Sequence, residues 1–239
     1  MSRKRRPIMR RPRRITAWSY SRWTTYDTCA GKAKFKFIDK LPDPAGPAAE
    51  RGLEIHNTAE RFVTQHLNHG FCEFDLESPL DTWKDDFDDL IETLRSSSES
   101  FVEEQWAFTD EWEETGWFDN DAWCRVKMDV AWRKGGHGVF VDYKTGKMRD
   151  EHDEQADLYA VAMLVRFPNL RTVRGEFWYV DQDSIQPYEY DAAEIERLKE
   201  EWNRRGTVIT TAEEFPFNPG RHCRWCAYAR DQGGPCQNG

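Results

Sequence analysis

Residues 124–146, Cys124-Arg-Val-Lys-Met-Asp-Val-Ala-Trp-Arg-Lys-Gly-Gly-His-Gly-Val-Phe-Val-Asp-Tyr-Lys-Thr-Gly146, decide the fold. Val126, Met128, Val130 and Trp132 alternate with Arg125, Lys127, Asp129 and Ala131, the period of a strand. Lys134 to Gly138 reads as a turn, and Val139, Phe140 and Val141 as a second, buried strand that Thr145-Gly146 ends. Side chains alternate between the faces of a strand, so Asp142 and Lys144 share one face and Tyr143 points away. If the turn centres between Gly135 and Gly136, cross-strand partners have numbers that add to 271. Asp129 then lies opposite Asp142. Directly paired side chains sit about 5 Å apart, and two carboxylates that close repel. A cation between them resolves the conflict. Asp142 is expected to hold a divalent cation and Lys144 to steady an attacking water or charge building on phosphorus. Taken alone, Asp-x-Lys is also the pattern of a surface ion pair at a strand end.

The flanking segments supply helices and further strands. Residues 48–68 carry Leu53, Ile55, Ala59, Phe62, Val63 and Leu67 at helical spacing, with Gly52 and His56 on one face. Trp83, Phe87, Leu90, Ile91 and Leu94 predict an amphipathic helix over 81–94, its Asp85, Asp86, Asp88 and Asp89 forming a solvated face. A strand is expected near 101–108. Residues 150–166 read as a largely buried helix that starts close to the Asp142/Lys144 tip and places Gln155 and Tyr159 on one face. Two strands follow at 175–180 and 185–190. Asp191-Ala-Ala-Glu194 is a capping-box start for a helix to about 205. Near the N-terminus, Ser19 or Ser21 caps a short helix bearing Trp18, Trp23 and Tyr26, with Cys29 at its end. Lys32, Lys34 and Lys36 then form a basic face. The order predicts an α/β fold, a mixed sheet flanked by helices.

The net charge of -9 conceals an asymmetry. Residues 1–14 hold eight Arg/Lys and no acid, which predicts a disordered arm that either holds phosphates non-specifically or serves only as a solubilising tail; the remainder holds 26 basic and 43 acidic residues. An acidic body disfavours broad metal-free DNA binding and suits a site that recruits cations. No run approaches the roughly 18 apolar residues of a membrane span, and the basic N-terminus lacks the apolar core of a secretory signal. An intracellular, cytoplasmic protein is expected.

Without a secretory signal, the six cysteines point to metal more than to disulfides. Residues 216–239 form a Gly- and Pro-rich tail with Cys223-x2-Cys226-x9-Cys236, too poor in apolar residues to build a core without a staple. Three cysteines leave a four-ligand site one short, and Cys29 is the best fourth. Four thiolates suit zinc and iron–sulfur alike. Cys72 and Cys124 read as structural.

Together, Arg51-Gly52-x3-His56, Met128-Asp129, Val141-Asp-Tyr-Lys-Thr-Gly146 and Gln155-x3-Tyr159 resemble, in order and spacing, the RecB-like branch of the PD-(D/E)XK nucleases. The resemblance covers most of residues 16–236. It implies a restriction-endonuclease-like core over 15–215. It implies a metal site of His56, Asp129, Asp142 and the Tyr143 carbonyl for Mg2+ or Mn2+, with Lys144 catalytic and Gln155 and Tyr159 contacting DNA. The cysteine layout is similar to the subgroup in which one early and three late cysteines enclose a [4Fe–4S] cluster, as in the AddB nuclease domain, the CRISPR adaptation nucleases and eukaryotic exonuclease V. Cys29, Cys223, Cys226 and Cys236 would then clip the two ends of the domain together. The expected function is a metal-dependent DNA exonuclease in recombination, repair or end processing, with a phage or prophage as one expected source. Expected partners are DNA with a free end and a recombination, annealing or helicase protein. The alternatives are a CRISPR-adaptation-type nuclease and a non-catalytic DNA-binding module.

Overall fold

The structure, a computed structural model, describes residues 14–149 and 151–238. All but one residue of the basic arm thus lies outside the described residues. The described residues form two compact units, one within residues 44–206 and one from residues 14–43 with 207–238.

The larger unit is built on a six-stranded sheet: β1 (Glu99–Phe108), β2 (Glu114–Thr115), β3 (Cys124–Lys134), β4 (His137–Lys144), β5 (Thr172–Tyr179) and β6 (Ser184–Asp191), in the order β2-β1-β3-β4-β5-β6. Every pairing is antiparallel except β4 with β5. That parallel step needs a crossover, which α5 (Glu151–Arg166) supplies. The expected longer turn between β3 and β4 is a tight two-residue one at Gly135-Gly136, with Gly135 at φ +60°, a conformation glycine adopts without strain. Its centre gives the expected register: Val130 pairs with Val141 and Ala131 with Phe140.

One sheet face is covered by α3 (Pro47–His69) and α4 (Lys84–Ser96). Ile55, Phe62, Phe87 and Leu90 pack there against Val130, Val141, Tyr143 and Trp178. Trp83 stacks on Trp178 at 5.3 Å. On the other face Phe140 meets Tyr159 of α5 edge-on at 5.4 Å. Gly175 makes room for that Phe140 ring, since a Cβ there would lie 2.3 Å from it. The capping box at Asp191/Glu194 is present and leads into α6 (Ile195–Thr211). With both faces covered, β3 and β4 are interior strands, so their mixed polar and apolar pattern buries charge and not only carbon.

The smaller unit contains α1 (Tyr20–Thr28), capped by Ser19, then α2 (Ala30–Ala33) continuing into a π-helical turn over Lys34–Ile38. Its C-terminal segment carries short 3-10 turns at Arg221–Trp225 and Arg230–Gln232. Among the described residues no helix is long and apolar enough to cross a membrane.

Candidate active site

The site lies where β3 and β4 part. Their ladder ends at Val130–Val141, one pair before the two aspartates meet. Side chains take over the backbone groups left behind. Asp129 Oδ2 accepts the Tyr143 N–H at 2.8 Å, and the Tyr159 hydroxyl lies 2.8 Å from the Lys127 carbonyl. Asp129 and Asp142 are the only buried charged residues among those described, 7% and 3% exposed. Neither would be tolerated there without compensation.

Compensation comes from three directions. Lys144 Nζ stands 2.6 Å from Asp142 Oδ2 as an ion pair. The contact falls outside hydrogen-bond geometry, so Oδ2 remains buried without a hydrogen bond. Gln155 accepts from Lys144 at 2.7 Å and donates to Asp142 Oδ1 at 3.2 Å and to the Tyr159 hydroxyl at 2.8 Å. Tyr159 OH also lies 3.1 Å from Asp142 Oδ1. In this structure Gln155 and Tyr159, expected on DNA, thus brace Asp142 and Lys144. His56, projecting from α3, places Nδ1 3.1 Å from Asp129 Oδ1.

The electrostatics follow from this crowding. Burial, then the charge of Asp142, pushes the Asp129 carboxyl above the usual range, against the lowering effect of His56 and the Tyr143 N–H. Burial disfavours the His56 imidazolium, but the hydrogen bond to Asp129 and the charges of Asp129, Asp142 and Glu103 outweigh it, and its pKa is pushed up to about 9. A group whose folded pKa is raised stabilises the fold fully below its unfolded value and loses that contribution as pH rises through the folded value. Melts of the protein in EDTA should therefore fall between pH 6.5 and 9, by an amount on the order of 3 kcal/mol. His56→Gln should flatten that window, and a flat wild-type profile would contradict the His56–Asp129 pairing.

Glu103 is the residue the sequence reading missed. Val102 pairs with Val130 and Glu104 with Met128, so Glu103 stands opposite Asp129, yet its own pairing is broken by a left-handed φ of +53°. Such a backbone is costly for a non-glycine residue inside a strand. One ligand atom each from His56, Glu103 and Asp129 lies within 4.8 Å of the others, the only such group of His, Cys, Asp or Glu among the described residues. Lys127 forms an ion pair with Glu103. Carboxylates plus one imidazole make a donor set for Mg2+ or Mn2+. Removing the Glu103 charge with Glu103→Gln should weaken Mn2+ binding roughly ten- to hundredfold. Lys127→Met, which removes the competing cation, should strengthen it. Calorimetric titration reads both, and equal affinities would exclude Glu103 from the metal's surroundings.

Arg51 has a different task. It reaches Asp181 through two contacts, 2.9 and 2.5 Å, and Asp181 accepts the Gly146 N–H at 2.7 Å. The arginine thereby ties α3 to the loops after β4 and β5. A Cβ at Gly52 would meet only Thr145 Oγ1, at 3.4 Å, an ordinary contact.

The smaller unit gathers the other expected donors. Cys29, Cys223, Cys226 and Cys236 line one recess, with Lys32, Phe35, Phe217, His222, Tyr228 and Ala229. None of the four is in a disulfide. The Asn218 N–H points at Cys29 Sγ at 3.5 Å and the Gly220 N–H at Cys223 Sγ at 3.4 Å. His222 Nε2, also in the wall, is buried without a hydrogen-bond partner. No three of the sulfurs come within 4.8 Å of one another. Cys72 donates to Gln65 at 3.2 Å, and Cys124 is fully buried.

The family described as the PD-(D/E)XK nuclease superfamily matches residues 17–230. No curated protein matches the chain. Among solved structures, that of SSO0001 is similar at TM-score 0.44 and 12% identity, covering 94% of this chain and 87% of its own. A "Putative exonuclease" from Eubacterium rectale is similar at TM-score 0.48 and 13% identity, covering 90% of this chain and 88% of its own.

Proposed function

This chain belongs to the PD-(D/E)XK nuclease superfamily, and from that premise we propose that it is a divalent-metal-dependent deoxyribonuclease of the RecB-like branch, acting as an exonuclease on DNA with a free end. The observation that carries this reading is the buried Asp129/Asp142 pair with Lys144 held 2.6 Å from Asp142 Oδ2. A divalent cation, when bound, supplies Lewis acidity at phosphorus and an oxygen nucleophile at neutral pH. His56, Glu103, Asp129, Asp142 and the Tyr143 carbonyl are its candidate ligands. His56 sheds its proton to serve, so binding releases a proton. Lys144, braced by Gln155, offers its ammonium to the charge that builds on the phosphoryl oxygens. Tyr159 fixes the orientation of Asp142, and with Gln155 borders the path of the DNA strand.

The finer reading adds a structural [4Fe–4S] cluster on Cys29, Cys223, Cys226 and Cys236. Backbone N–H groups aimed at two of the sulfurs are the environment such clusters use to tune their potential. Four thiolates suit one zinc ion as well. The role that fits both centres is DNA end processing in recombination or repair.

The test is digestion of end-labelled single- and double-stranded DNA with Mn2+, Mg2+ or EDTA. The expected result is stepwise loss from one end that EDTA abolishes, which also fixes polarity and strand preference. Absence of cleavage on ends, gaps and flaps with either metal would leave only a non-catalytic module.

A further inference from the structure

The charges of this chain are sorted by unit. Residues 44–206 hold 18 Lys/Arg against 37 Asp/Glu, whereas the described residues of the other unit, 14–43 and 207–238, hold 9 against 6. The unit with the proposed catalytic centre therefore repels a polyanion, and the cysteine-bearing unit attracts one. Within that basic unit the 3-10 turn Arg221–Trp225 has a marked sidedness. Cys226, next after the turn, is buried and Cys223 half-buried, while Arg221, Arg224 and Trp225 face solvent. Arg221 and Arg224 are three apart and so lie in line on a 3-10 turn. Trp225 is 75% exposed, and the Arg224 guanidinium lies 5.6 Å from its ring centroid.

A single exposed aromatic residue needs no explanation on its own. Phe118 is more exposed, at 87%, but stands among Glu113, Glu114, Asp119 and Asp121. Trp225 differs in having one cation, Arg224, beside its ring and a second, Arg221, exposed on the same turn. An aromatic face beside guanidinium groups is what single-stranded nucleic acid binds, through stacking on the base and charge on the phosphate. We propose that Trp225, with Arg224 and Arg221, is a docking surface for single-stranded DNA: the indole stacks on a base and the two arginines hold the adjoining phosphates. This deepens the nuclease reading and rests on it for the identity of the polymer.

The experiment measures binding of a fluorescein-labelled oligothymidylate to the full chain in EDTA, alongside its cleavage in Mn2+. Trp225→Ala should weaken binding roughly tenfold to a hundredfold, and Trp225→Phe should restore most of it. Arg224→Ala should lower the salt dependence, log Kd against log salt, by about 0.7. An abasic oligonucleotide of equal charge should bind the wild type as weakly as the thymidylate binds Trp225→Ala. Visible absorbance and hydrolysis of bis(p-nitrophenyl) phosphate should stay at wild-type levels in all three variants. Equal thymidylate affinities for wild type and Trp225→Ala, with DNA still cleaved, would overturn the docking surface and leave the nuclease intact. Binding that depends on Trp225 in a protein that cleaves no DNA would keep the surface and overturn the nuclease.

Discussion

Lys144→Met should lower metal-dependent DNA cleavage by about two to three orders of magnitude, the usual loss when one preorganised electrostatic contact to a transition state is removed. The same substitution should tighten Mn2+ binding. In the metal-free protein the ammonium sits 2.6 Å from Asp142 Oδ2, a buried oxygen with no hydrogen bond, and competes with the metal for it. Without the lysine, Asp142 keeps only Gln155 and Tyr159, both neutral, and the repulsion with Asp129 falls to His56 alone. The metal-free variant should therefore melt below the wild type, and saturating Mn2+ should recover most of the difference, since a ligand that binds only the native state stabilises it by mass action. Asp142→Asn separates the roles, because it should lose both metal and cleavage. The combination of lost rate with gained metal affinity is the signature of a lysine that acts on the reaction. Wild-type cleavage by Lys144→Met would reduce it to a counter-ion.

Much of this centre was legible because it sits on a hairpin. A two-residue Gly-Gly turn fixes register, and register alone brings Asp129 toward Asp142. Period-two alternation put Lys144 beside Asp142, and helical spacing put Gln155 beside Tyr159. What remained hidden depends on contacts between elements distant in sequence. Glu103 faces Asp129 only through the β1–β3 register, and the segment between those strands, residues 109–123, has no turn signature that fixes it. Its left-handed backbone leaves no mark on the sequence either, since Glu103-Glu104 reads as any polar pair on a strand. The end of the β3–β4 ladder was likewise unforeseen. Pattern gives pairing partners, but here a carboxylate and a phenol replace the ladder and open the sheet. In the same way, Gln155 and Tyr159 could be set on one face from their spacing, while their hydrogen bonds to Asp142 follow from the crossover packing α5 against β4.

Cys226→Ser should remove the visible absorbance of the proposed cluster, near 400 nm by the usual behaviour of such clusters, and lower the melting temperature by about 10–20 °C. The magnitude follows from chain entropy. Cys29 and Cys236 belong to segments about 200 residues apart, and cross-linking a loop of that length is worth about 5 kcal/mol in the unfolded-chain account. At roughly 2–4 °C per kcal/mol for a chain of this size, the shift follows. The protein contacts there are modest substitutes for a cross-link. The buried apolar group is Cys226, Tyr228 and Ala229 with Phe35 and Leu41 beside it, and the backbone ties between the segments are single hydrogen bonds such as Gly31 N–H to the Pro216 carbonyl at 3.0 Å. Mn2+ affinity should survive, because His56, Glu103, Asp129, Asp142 and Lys144 all belong to residues 44–206. Cys72→Ser, which alters a thiol bonded to Gln65 outside the recess, should keep both colour and melting temperature. Iron and zinc analysis of anaerobically purified protein reads the cofactor directly. Four irons per chain, lost in Cys226→Ser, would support the cluster. A colourless protein with one zinc would replace it with a zinc site, and a Cys226→Ser variant that melts like the wild type would remove any metal staple from this end of the chain.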